Sequence, residues 1–123
     1  MTIDWTKVIT TEDKFAKAKE DKKASIAQAR YEAEIAGING IRTDRESRSI
    51  MTGMALKAMS DPDYTCRWKG IDGFVTLTAP QIIAVSDTVR AYVQGCFDKE
   101  DELLAQIESA ETQEERDAIQ WGD

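Results

Sequence analysis

The stretch Thr43–Tyr92 decides the fold, and it reads TDRESRSIMTGMALKAM from Thr43, YTCRWKGIDGFVTLT from Tyr64 and APQIIAVSDTVRAY from Ala79. Two helix-start signals lie on either side of a β-hairpin signal. Helical apolar spacing before and after a short segment of alternating residues is typical of a compact α+β unit. The block therefore predicts two helices joined through a hairpin.

The first helix of this block has a strong start signal. Thr43 and Glu46 have the T-x-x-E spacing of a capping box, and Asp44 offers an overlapping cap. The segment Asp61-Pro62-Asp63 predicts the end of the helix. Apolar residues between these signals recur at helical spacing, namely Ile50, Met51, Met54, Ala55 and Ala58.

The hairpin is predicted over Tyr64–Thr78. Tyr64, Cys66 and Trp68 alternate with polar residues, and Gly70-Ile71-Asp72-Gly73 predicts the turn before a second β-favouring run. Residues 41–43 are expected to add a short third strand after the turn dipeptide Asn39-Gly40. A sheet this small needs helices to cover its apolar face.

The last long helix is predicted from Thr78-Ala79-Pro80-Gln81, a capping box with proline in the first turn, to about Ala110. Such a helix spans roughly 46 Å, whereas a compact chain of this length is about 35 Å across. We therefore expect both long helices to protrude in part, and the alternative for the last helix is a break near Gly95. Three apolar residues near the end would need a partner, either the first helix or a second copy of the chain: Leu103, Leu104 and Ile107. Thr112 and Glu115 predict a short further helix.

A long first helix is predicted from about Thr11 to Ala36. Thr10 and Asp13 form a weak capping pattern, and Gly37 supplies the stop. Between Glu12 and Ala24, Phe15 is the one large apolar residue, so this half is expected to project or to pack against another chain. Disorder of residues 1–24 until a partner binds is the alternative.

These elements predict an α+β fold in which three main helices pack with a small antiparallel sheet made of a hairpin and one short strand. We expect three segments. Residues 1–36 form a docking segment and helix, residues 37–110 a core domain with the long helix, and residues 111–123 an acidic tail helix.

Charge is concentrated at the C-terminal end. Residues 98–123 carry ten acids against Lys99 and Arg116, a local net charge of −8, while the whole chain has −7. This acidic end repels phosphate backbones, so we expect no nucleic-acid partner. No apolar run approaches the ~18 residues of a membrane helix, and the N-terminus lacks the pattern of a signal peptide. We therefore expect no membrane association and no secretion.

No catalytic, cofactor-binding or metal-binding residues are predicted. The chain has no histidine, and its two cysteines, Cys66 and Cys96, lie 30 residues apart without a second pair. Both are expected to be small buried hydrophobes, with a disulfide between them as the alternative. The densest polar cluster is Asp44, Arg45, Glu46 and Arg48. Capping and surface ion pairs explain it, and a specific binding role is the alternative.

Residues 37–105 resemble an uncharacterised domain that recurs at the C-terminal end of bacteriophage tail-fibre assembly proteins. The resemblance rests on AGINGIRTDRESRSIMTGMAL, on the tryptophan-bearing hairpin and on FVTLTAPQIIAVSDTVRAYVQGCFDKEDELL. It implies a non-enzymatic tail protein, made in the host cytoplasm and retained in the virion, that binds a tail-fibre or baseplate protein. The alternative is an assembly chaperone that leaves before the particle is complete. The better-known assembly proteins have a longer N-terminal region than the 36 residues found here.

We expect the outer helices to form the contact surface with this partner, and a homo-oligomer is also considered. The hypothesis assigns partner binding to large apolar residues near the two ends of the chain: Trp5, Val8, Ile9, Phe15, Leu103, Leu104 and Ile107. Those near the N-terminus have too few apolar neighbours in sequence to form a core of their own. Deleting residues 1–20 is expected to abolish partner binding and to leave thermal unfolding of the remainder nearly unchanged.

Overall fold

A computed structural model of the chain describes residues 10–122. Its elements in chain order are α1 (Thr11–Glu34), α2 (Arg45–Ser60), β1 (Thr65–Gly70), β2 (Gly73–Thr78), α3 (Ala79–Ser109) and α4 (Gln113–Asp117). The predicted α+β class is confirmed. Among the described residues, backbone contacts separate a terminal unit, residues 10–29 with 100–122, from a central unit, residues 30–99. The division falls within α1 and within α3, and the predicted organisation into three segments stays a prediction.

Helix starts follow the predicted local signals with one exception. Thr10 and Asp13 exchange hydrogen bonds at the start of α1, and Thr78 and Gln81 do so at the start of α3. Thr112 caps α4 by accepting from the backbone N–H of Glu115 at 3.0 Å. The predicted cap at Thr43 is wrong.

Asp44 is the N-cap of α2, and its carboxylate accepts a 3.1 Å hydrogen bond from the backbone N–H of Ser47. The hydrogen bonds from Ser47 hold the pKa of the Asp44 carboxyl below its ordinary value. Thr43 is fully buried and bonds to the end of α1 instead. The Thr43 hydroxyl therefore forms a tertiary hydrogen bond instead of the predicted cap of α2.

The sheet has two antiparallel strands in the described part of the chain, with Gly70 opposite Gly73 and Trp68 opposite Val75. The predicted third strand is not part of it. Ile38 and Ile41 instead pair with each other across Asn39 and Gly40, which both have positive φ. Two such residues are what a tight hairpin turn requires, so this segment turns back on itself before it can extend along the sheet.

The core of the central unit lies where α2, the hairpin and α3 meet. Met51, Trp68, Val89 and Val93 form one buried cluster, and Ala58, Ala79 and Ile82 form another. The Tyr92 hydroxyl donates a 2.5 Å hydrogen bond to the carbonyl oxygen of Ala33 and so ties α3 to the end of α1. Cys66 and Cys96 are free thiols, and burial raises the pKa of Cys66.

The core of the terminal unit joins α1 to the end of α3. Ile26 packs with Leu103, Ile107 and Ile119. Nearby on the surface, the Glu108 carboxylate pairs with the ammonium groups of Lys19, at 2.6 Å, and Lys23. The first helix is thus the partner of the apolar stripe on α3, one of the two predicted alternatives.

Candidate binding cleft

Among residues 10–122, the side chains predicted to bind a partner do not form one surface. Trp5, Val8 and Ile9 lie outside the described residues, so their role stays a prediction. Ile107 is fully buried and Leu103 is 9% exposed. These two side chains serve internal packing, because α1 covers them, so they supply no exposed contact surface here and their role in partner binding stays a prediction.

Leu104 and Phe15 lie at the margin of the terminal unit. Leu104 is partly buried against the same core. Phe15 is 38% exposed, and the guanidinium carbon of Arg116 lies 4.3 Å from its ring centroid. Phe15 is therefore the described member of the predicted set that keeps a substantial exposed surface, and an intramolecular cation–π contact already occupies one face of its ring.

The most unusual polar arrangement surrounds Glu34 in the central unit. Its carboxylate is 1% exposed and receives three guanidinium groups. Arg30 Nη1 lies 3.3 Å from Oε1, while Arg45 Nε at 3.2 Å and Arg48 Nη2 at 3.4 Å share Oε2. A buried carboxylate needs such partners because desolvation of an unpaired charge is costly. We call Arg30, Glu34, Arg45 and Arg48 the arginine cluster.

Backbone contacts fix the position of the arginine cluster. The Thr43 hydroxyl donates a 2.7 Å hydrogen bond to the Glu34 carbonyl oxygen and accepts one of 2.9 Å from the backbone N–H of Gly37. Gly37 has a φ of +91°, a conformation that favours glycine, and ends the helix. The end of α1 and the start of α2 are thereby held together, which brings the arginines of α2 to Glu34.

A cleft of about 470 Å³ adjoins the cluster and is lined by α2 and α3. Met51, Val89 and Val93 supply its buried apolar groups, and Phe97 adds a ring that is 39% exposed. Its remaining lining residues are polar: Arg48, Thr52, Ser86, Arg90 and Gln94. An apolar concavity with a few polar groups is the usual form of a binding site.

Arg48 belongs to both the cluster and the cleft. Its Nη2 atom pairs with Glu34, whereas its buried Nε atom has no hydrogen-bond partner. At the same end of the cleft, the guanidinium carbon of Arg30 lies 4.6 Å from the ring centroid of Phe97. The cluster therefore sets the charge and the side-chain positions at one end of the cleft.

A family model described as a domain of unknown function, DUF4376, matches residues 17–120. This chain belongs to the DUF4376 family. No curated protein and no solved structure matches the chain. The matched range of this DUF4376 chain contains the whole arginine cluster and the whole cleft, so both lie within the family domain.

Part of this site can be predicted from the sequence. Arg45 and Arg48 belong to the polar cluster predicted from the sequence, although Asp44 is a helix cap and Glu46 is exposed. Glu34 was missed, and its one local signal is the i,i+4 spacing from Arg30. Phe97 was missed because it follows Cys96 at the outer margin of a regular apolar stripe.

The cleft of the DUF4376 chain has the groups for recognition of an apolar ligand with a negatively charged end. Its lining contains hydroxyl, amide and guanidinium groups but no carboxylate and no thiol. Among residues 10–122 no group of three or more metal-ligating side chains occurs. No helix in that range is both long and apolar enough to cross a membrane.

Proposed function

We propose that this protein is a non-enzymatic bacteriophage tail protein that binds a tail-fibre or baseplate component as a small structural or attachment subunit. The alternative is a tail-fibre assembly chaperone that is not retained in the virion. The resemblance of residues 37–105 to the domain of tail-fibre assembly proteins supports the phage context. The cleft between α2 and α3 supports the binding role and is the observation on which that role rests.

The cleft favours a binding role because it combines exposed apolar surface with fixed charges. Phe97 is 39% exposed beside the buried side chains of Val89 and Val93. A concave apolar surface rimmed by polar groups is typical of a protein contact site. The polar groups at the rim are guanidinium, hydroxyl and amide groups, with no carboxylate, imidazole or thiol among them. This chemistry suits recognition better than general acid–base catalysis.

Quantitative mass spectrometry of purified phage particles tests the tail assignment. A fixed small-integer ratio to the fibre or baseplate protein is expected for a structural subunit. Absence from particles, together with a complex with fibre protein in infected-cell lysate, would identify the chaperone alternative. Absence from both particles and fibre complexes would overturn the proposal.

Two tryptophan substitutions at exposed positions of α2 test whether the cleft is the contact surface for the tail protein. Thr52 lines the cleft, whereas Ser49 is exposed on the same helix and lies outside it. Thr52→Trp is expected to fill the cleft and to abolish recovery of tail proteins in immunoprecipitates from infected cells. Ser49→Trp is expected to leave recovery unchanged. Equal recovery with both variants would exclude the cleft as the contact surface.

A further inference from the structure

We propose that the cleft recognises a segment of the partner protein in which a carboxylate lies next to an apolar side chain, with Arg48 receiving the carboxylate. This inference rests on the proposed function and specifies the chemistry of the partner. It is carried by the charge at one end of the cleft, by an unused hydrogen-bond donor and by the apolar lining beside them.

The carboxylate of Glu34 is shared among three guanidinium groups rather than paired with one. Its Oε2 atom lies 3.2 Å from Arg45 Nε and 3.4 Å from Arg48 Nη2, so one oxygen serves two guanidinium groups. Arg45 is 66% exposed and is solvated by water, but the side chain of Arg48 is only 23% exposed. Arg48 therefore keeps positive charge that is neither fully paired nor fully hydrated.

The Nε atom of Arg48 is a buried donor without a partner. A guanidinium donates through parallel N–H groups, and a carboxylate is the side-chain acceptor that matches this geometry. A small outward rotation of the Arg48 side chain would direct this donor to a ligand in the cleft. A second carboxylate would thus satisfy the donor and the shared charge together.

The other cation of the cleft is already paired. Arg90 Nη2 lies 2.9 Å from Asp87 Oδ1, and both side chains are largely exposed. An incoming carboxylate gains less at Arg90, because the local charge is neutralised and surrounded by water. The charge distribution thus directs the acidic group to the Arg48 end of the cleft.

The apolar part of the segment has a defined surface beside Arg48. Met51, Val89 and Val93 line the cleft, and the Phe97 ring is held on one face by Arg30 at 4.6 Å. The exposed part of that ring offers contact for an aliphatic or aromatic side chain. A ligand with a negative end and an apolar body therefore contacts the Arg48 guanidinium and the apolar lining of the cleft together.

A single carboxylate fits the chain better than a polyanion. Residues 30–99, which include the cleft, carry nine basic and nine acidic side chains, so this unit has no excess of positive charge to offer a polyanion. One carboxylate needs only one guanidinium held close to it, because the attraction between two single charges acts at short range. Charge complementarity thus selects an acidic residue of a protein segment.

A titration of the full-length, 15N-labelled protein tests this chemistry with three small probes. The probe 4-phenylbutanoate carries both groups, 4-phenylbutanamide lacks the charge, and acetate lacks the apolar body. We expect 4-phenylbutanoate to give saturable shifts at Arg48 Nε–Hε and at the Phe97 amide. The other two probes are expected to bind at least about tenfold more weakly. Equal binding of acid and amide, or shifts confined to residues outside the cleft, would overturn the inference.

Variants at a neighbouring position test the role of Arg48 without changing its ion pair with Glu34. Thr52 lies four residues after Arg48 and lines the cleft. Thr52→Asp places a carboxylate within reach of Arg48 and is expected to abolish the preference for 4-phenylbutanoate, whereas Thr52→Asn is expected to retain it. Lys57→Gln removes a paired, exposed cation of α2 that lies outside the cleft, and it is expected to change the affinity by less than about twofold. Retention of the preference in Thr52→Asp would count against Arg48 as the receiving group.

The outcomes for this inference and for the proposed function are separable. Acid-selective probe binding without any effect of Thr52→Trp on recovery of tail proteins would support the site and reject its proposed use. Loss of tail proteins in Thr52→Trp with equal binding of acid and amide probes would support the surface and reject the carboxylate.

Discussion

Thr43 caps the C-terminal end of α1 at Glu34, because its buried hydroxyl donates a 2.7 Å hydrogen bond to the Glu34 carbonyl oxygen. The same hydroxyl accepts a 2.9 Å hydrogen bond from the backbone N–H of Gly37. The last carbonyl groups of a helix have no partner within the helix. One side chain nine residues along the chain thus satisfies a helix end and positions the buried carboxylate of the arginine cluster.

Thr43→Val is expected to destabilise the protein by about 1–3 kcal/mol, since it leaves a buried carbonyl and a part-buried N–H without this partner while nearly preserving volume. Urea denaturation followed by circular dichroism measures the change. Thr43→Ser keeps the hydroxyl and loses one methyl group, so it should cost less than Thr43→Val. A Val variant as stable as the wild type would show that water replaces the hydroxyl.

Thr43 also shows which helix starts can be predicted from the local sequence and which cannot. Capping at Thr10, Thr78 and Thr112 was predicted correctly because each interaction joins residues three apart. Thr43 has the same local pattern, but its hydroxyl bonds to residues of the preceding helix end. Local spacing predicts helix starts well, and it fails where a tertiary contact competes for the capping group.

The candidate site illustrates the same limit. Arg45 and Arg48 are visible in the sequence as a polar cluster, but Glu34 lies at the end of another helix. The loop that brings α1 and α2 together creates the cluster, and spacing along either helix does not reveal it. Likewise Met51 is predicted from the sequence as an apolar helix position, whereas the open cleft beside it depends on the packing of α2 against α3.

Glu34→Gln is expected to destabilise the protein by about 3 kcal/mol, because it removes the negative charge from three guanidinium groups while leaving them in place. Chemical denaturation gives the free energy of unfolding. Arg45→Gln is the milder change and should cost less than about 1 kcal/mol, since Arg45 is 66% exposed.

Glu46→Gln is the control for the loss of a carboxylate from the same region, because Glu46 is exposed in the first turn of α2. Its expected cost is about 0.5 kcal/mol, because an acidic side chain in the first turn interacts favourably with the helix dipole. If Glu34→Gln were no more destabilising than Glu46→Gln, the arginine cluster would contribute nothing to the fold.

Gly70→Ala and Gly53→Ala are expected to change stability in opposite directions. A Cβ at Gly70 would lie 2.8 Å from the Gly40 carbonyl oxygen, which also accepts a 2.9 Å hydrogen bond from the Ile71 N–H. Crowding against backbone at this point should cost about 1–3 kcal/mol. Thermal unfolding monitored at 222 nm measures the effect.

Gly53 is the matched position within α2, where an added Cβ meets nothing within 4 Å. Alanine there should stabilise the protein by up to about 1 kcal/mol through its higher helix propensity. Destabilisation by Gly53→Ala would indicate that this helix face is packed in the native protein. Unchanged stability in Gly70→Ala would indicate that the loop at Gly40 moves away freely.

Glu108 is expected to titrate with a pKa of about 2, below its ordinary value of 4.5, because Lys19 and then Lys23 donate hydrogen bonds to its carboxylate. Such a depressed pKa contributes stability above pH 4.5 that is lost as the pH falls towards 2. The stability difference between wild type and Glu108→Gln should therefore be constant near neutral pH and shrink over this acidic range. Side-chain carbon shifts of Glu108, followed by NMR, measure the midpoint directly.

Lys19→Gln should raise the titration midpoint of Glu108. Added salt should raise it in the wild type, because the carboxylate is exposed to solvent and its ion pairs are screened. A midpoint near 4.5 that ignores both changes would mean that these lysines do not hold the carboxylate in solution.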